Sequence, residues 1–76
     1  MSLVVRFQEY RQYDINRDCD TTTFMATTGI GTYYSTVPEE SAKSLREARK
    51  KFRERAIEAM QAGVAPCEIE LMEYDA

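Results

Sequence analysis

The chain has no histidine and no tryptophan, and only three glycines, two prolines and two cysteines. Without histidine, no side chain has an ordinary pKa near neutrality, so proton transfer would fall to a shifted carboxylate, lysine, tyrosine or cysteine. No constellation of those groups stands out, and neither Cys19 nor Cys67 carries the local signature of a nucleophile. The composition therefore points to a non-enzymatic protein, with no cofactor, metal or small-molecule substrate implied. No apolar run approaches the roughly 18 residues of a membrane span, which argues against a membrane role. The scarcity of glycine and proline, with 43% hydrophobic and 30% charged residues, excludes disordered and fibrous classes. Secreted domains of this length usually carry four or more cysteines, so both thiols are expected to be free. The N-terminal residues lack a basic leader, which makes the cytoplasm the expected location.

What is present suits one small domain over residues 1–76. Leu3, Val5 and Phe7 alternate with Val4, Arg6 and Gln8, the period-two pattern of a half-buried strand running on through Tyr10 and Tyr13. Asp14, Ile15, Asn16, Arg17, Asp18, Cys19 and Asp20 then form a turn region, because short Asp and Asn side chains bond to nearby backbone amides. Residues 21–37 are dense in threonine and tyrosine, types that fit a pleated surface. Gly29-Ile30-Gly31 divides this stretch, and seventeen residues far exceed the usual strand, so two strands joined at the glycines are expected. Pro38 ends the sheet segment.

Ser41 caps a helix expected from Ala42 to Ala62, which Gly63 stops. Leu45, Ala48, Phe52, Ala56, Ala59 and Met60 fall on one core-facing stripe. A last strand is expected over 67–74, where Cys67, Ile69 and Leu71 alternate with Glu68 and Glu70. The resulting fold class is α+β: a three- or four-stranded, mostly antiparallel sheet in the order β-β-β-α-β, with one long helix packed on one face.

Two motifs carry little. Asp14, Asn16, Asp18 and Asp20 have the alternate spacing of a calcium loop, but Cys19 replaces the glycine and Met25 the bidentate glutamate, so a solvated turn explains them. The Gly29-x-Gly31 pair lacks the helix start and lysine of a phosphate loop.

Charge is the informative feature. The net charge is −3 and the pI about 4.9. Positions 43–55 nevertheless hold seven basic residues against two glutamates, a surplus of five, while the remainder holds three against eleven. On a helical wheel Lys43, Arg46, Arg49, Lys50 and Arg53 lie on one side of the core stripe, with Ile57 projecting among them. Arginine beside an isolated apolar group is a recurring composition of binding surfaces. Tyr33 and Tyr34 must face opposite sides of one strand, and a sheet covered by one helix leaves tyrosines and threonines on its second face for a partner.

The candidate binding residues are Arg46, Arg49, Lys50, Arg53, Ile57, Tyr33 and Tyr34. The expected function is that of a protein-binding module, partnered by a second copy or by an acidic surface, of the accessory or inhibitor type that phages and mobile elements encode. The alternative is a nucleic-acid-associated regulator using the basic helix flank, which the acidic remainder disfavours. A homodimer is expected because so short a chain gains from sharing a sheet face or edge.

Overall fold

The alternating segments become a three-stranded antiparallel sheet in the computed structural model, which describes residues 4–66. The strands are β1 (Arg6–Asp14), β2 (Cys19–Thr28) and β3 (Gly31–Pro38), followed by the helix α1 (Ala42–Gln61). This is an α+β protein in which β2 is central and α1 lies across β2 and β3. The strand expected over 67–74, with Cys67, lies outside the described residues. No helix among the described residues is long and apolar enough to cross a membrane.

Each turn has a local cause. Asp14 Oδ1 accepts from the backbone N–H of Asn16 at 2.9 Å and of Arg17 at 3.3 Å, so the first acid of the calcium-like spacing closes the β1–β2 hairpin itself. Asp18 takes a positive φ of 53° there, a conformation short polar side chains tolerate. The second hairpin turns at Gly29-Ile30, where Thr28 Oγ1 donates to Gly31 O and accepts from Ile30 N–H. The glycine pair is thus a turn between two strands. Gly31 has a φ of +149°, and a Cβ added to it would stand 2.7 Å from Pro66 Cγ. The chain after α1 runs back over the start of β3, and only a residue without a side chain admits that approach.

The helix ends are specified residue by residue. Ser41 Oγ accepts from the Ser44 N–H at 3.1 Å, satisfying one of the donors that a helix start leaves open. At the other end Gly63 takes φ +76°, its N–H donating to Met60 O and the next N–H, of Val64, to Ala59 O. These are the two bonds of a Schellman motif, which closes a helix through a left-handed residue.

Packing follows from the alternation. Phe24 and Ala26 of β2 and Tyr33 and Val37 of β3 meet Ala48, Phe52 and Ala56 of α1 in one buried cluster, flanked by Val5, Phe7, Leu45, Ala59 and Met60. The Phe24 and Phe52 rings stack at 5.7 Å between centroids and 28° between planes. Burying each ring contributes roughly 1.5–3 kcal/mol, so this pair anchors the helix to the sheet. Among the described residues one polar atom sits badly there: Thr22 Oγ1 is buried without a hydrogen-bond partner.

Candidate binding groove on the basic flank of the helix

The 3.6-residue period of α1 turns its basic residues toward one side, and that side overhangs β1. Arg49 reaches down to Glu9, with Nε donating to Oε1 at 2.7 Å and Nη2 to Oε2 at 3.0 Å. Two parallel bonds of this kind fix a guanidinium in orientation as well as position. One turn further on, the Arg53 guanidinium carbon stands 5.0 Å from the centroid of the Phe7 ring, within cation–π range. Arg49 and Arg53 are therefore stapled to β1 rather than free in solvent. Beneath them a small cleft of about 80 Å³ separates β1 from α1.

Above them lies a shallow open groove of about 370 Å³ formed between side chains of α1 alone: Arg46, Arg49, Lys50, Arg53, Glu54 and Ile57. Ile57 is 42% exposed. Five of the seven residues singled out from sequence thus share one groove. Among the described residues neither Arg46 nor Lys50 has a carboxylate partner. Glu54 also lines the groove, so its lip is zwitterionic. Phe7 and Glu9 hold the basic flank in place; the sequence marked Phe7 only as an inward strand residue and Glu9 not at all.

The two tyrosines separate. Tyr33 lies opposite Ala26 in the core, 1% exposed, and its hydroxyl donates to the Val64 carbonyl beyond the helix. It offers no contact area to a partner, because strand alternation turns it toward α1. Tyr34 points the other way, opposite Met25, and is 42% exposed. Neither joins the groove.

The sheet face away from α1 carries Gln8, Tyr10 and Gln12 of β1, Thr21, Thr23 and Thr27 of β2, and Tyr34 and Thr36 of β3. Its central threonines are engaged with neighbours: Thr21 Oγ1 donates to Gln12 O, and Thr23 and Thr36 share a hydroxyl bond of 2.9 Å. Thr21 and Thr23 are buried. What this face leaves exposed is concentrated on β1. On the helix side of β1, Arg11 Nε donates to Glu39 Oε2 at 2.7 Å. That hydrogen bond, and then the carboxylate's charge, raises the Arg11 pKa.

The fold and the groove define a class, α+β with a cationic, partly apolar surface, and comparison adds no relative to it. No family model matches the chain, and neither the curated proteins nor the solved structures contain a significant match.

Proposed function

We propose that this protein is a non-enzymatic protein-binding module whose α1 groove receives an acidic segment carrying an apolar residue. The observation behind the reading is the convergence of Arg46, Arg49, Lys50 and Arg53 around the exposed Ile57. An apolar anchor supplies the desolvated centre of such a contact, and the cations around it select carboxylates. Arg49 and Arg53 are pre-positioned by Glu9 and Phe7, so less side-chain freedom is lost when a partner docks.

Nucleic acid is the second reading, because Arg46 and Lys50 have no carboxylate partner among the described residues. The same groove weighs against it. Ile57 is exposed within it, and an apolar side chain contributes to contact with a protein segment but not with a phosphate backbone. The acidic balance and absence of histidine suit an accessory or inhibitor protein of the phage or mobile-element kind, an analogy of type. We place it in the cytoplasm, where Cys19 stays a thiol.

The test compares wild type with Arg46→Glu, Lys50→Glu as baits in quantitative cross-linking pull-downs, alongside heparin retention at low and moderate salt. Proteins held by wild type through acidic segments and lost with the variant support the groove; identical sets from both baits overturn it. Steep salt-dependent heparin retention favours nucleic acid instead.

A further inference from the structure

β1 is an edge strand among the described residues, and although Arg6, Glu9, Arg11 and Asp14 charge it, nothing interrupts its backbone row. It contains no proline, glycine or lysine, and its nine residues pair with β2 in unbroken register, without a bulge. Its outer row of backbone N–H and C=O groups is a template for another strand. Its side chains are mostly exposed, Tyr10 at 49% and Tyr13 at 54%.

The order of its residues is self-complementary. We infer that β1 pairs antiparallel with β1 of a second copy, about a two-fold axis through Tyr10. Reversed against itself, the segment Arg-Phe-Gln-Glu-Tyr-Arg-Gln-Tyr-Asp sets Arg6 opposite Asp14, Phe7 opposite Tyr13, Gln8 opposite Gln12 and Glu9 opposite Arg11, with Tyr10 opposite itself. Every pair is opposite in charge, aromatic with aromatic, or amide with amide, the combinations that stabilise neighbouring strands.

The register is also defended against slippage. Both copies present the N–H and C=O groups of the same alternate residues to the free edge, so opposed residues must both be odd or both even. The nearest permitted slips move the axis to Glu9 or to Arg11. Each sets a charge against its own copy and shortens the overlap. Only the axis at Tyr10 uses all nine residues.

The dimer expected from the sequence thereby acquires a surface: among the described residues, a continuous sheet in the order β3-β2-β1-β1-β2-β3 with both helices on one face. The Arg49–Glu9 and Arg11–Glu39 pairs then meet across the axis as a row of alternating charge, Arg49, Glu9, the partner's Arg11 and the partner's Glu39. The two basic flanks face each other over the paired Phe7 and Tyr13 rings. This pairing does not rest on the groove's partner, and Arg46→Glu, Lys50→Glu should remain dimeric.

Sedimentation equilibrium of the full chain from 1 to 500 μM should show twice 8.8 kDa. A monomer throughout overturns the proposal. Tyr10→Asp, which places two carboxylates at the axis, should weaken the dimer at least about tenfold with an unchanged far-ultraviolet spectrum; undiminished dimerisation overturns the register. In a Cys19→Ser, Cys67→Ser background, Tyr10→Cys should form a disulfide with its own copy. Gln8→Cys and Gln12→Cys should fail alone, because each is about 13 Å along the strand from its copy, yet join when mixed. Self-linking by either, or no linking of the mixture, refutes the Tyr10 axis.

Discussion

Arg49 and Glu9 stand forty residues apart in the chain and meet in a two-pronged ion pair that ties the middle of α1 to the edge strand. Both side chains are about two-thirds covered, 32% and 37% exposed, so solvent screens the pair only in part. A double-mutant cycle with Arg49→Ala and Glu9→Ala should yield a coupling of roughly 0.5–1 kcal/mol, measured by denaturant unfolding in the Tyr10→Asp background to hold association constant. The coupling should shrink between 0.05 and 1 M salt, as the Debye length falls from above 10 Å to about 3 Å. A salt-independent coupling would assign the effect to packing instead.

Thr22 is a position where a substitution should improve the core. Its hydroxyl is buried and unbonded, and valine has the same branched shape without it. Thr22→Val should raise stability by about 1 kcal/mol, the lower end of what an unsatisfied buried group costs. For a domain of this size that corresponds to a rise in Tm of roughly 4–8 °C. Thr23→Val is the contrasting control, because it discards the bond to Thr36 and should lower Tm.

Gly31→Ala should destabilise by about 1–3 kcal/mol, since its Cβ meets the Pro66 ring and its φ lies where side chains are rarely found. Gly31→Ala with Pro66→Ala should recover part of that loss, the part due to collision. Full recovery would mean the backbone conformation itself imposes no strain.

The helix caps give a separable pair of losses. Ser41→Ala should cost about 1 kcal/mol through the unpaired Ser44 N–H. Gly63→Ala should cost a similar amount, about 1 kcal/mol, by forcing a Cβ into the left-handed region. Being far apart, the two should add within about 0.5 kcal/mol in thermal unfolding.

Such local devices explain why so much of α1 was legible in the sequence. Ser41, Gly63 and the Ala48–Phe52–Ala56 stripe each act within a few residues of the chain, and the observed helix differs from the expected one by a single residue at its end. The Gly29-Gly31 hairpin was legible for the same reason. β2 ran longer than expected, because it starts inside the acidic turn region and its pairing extends until a turn stops it. Alternation required Tyr33 and Tyr34 to part, yet which one faced inward depended on where α1 lay. The groove residues were visible as a wheel sector, whereas Glu9 and Phe7 were not. Their pairing with Arg49 and Arg53 arises only when the sheet brings residues some forty positions apart together.

Because α1 spans β2 and β3, the edge strand gains little from the helix beyond the Phe7 and Glu9 contacts. β1 should then open at a lower free energy than the central strand, and its amides should exchange with solvent faster than those of β2. Association at this edge would make that opening compete with a second chain. Protection of β1 would rise with protein concentration while protection at the centre of α1 stayed constant, so the exchange profile of one chain would report the presence of the other.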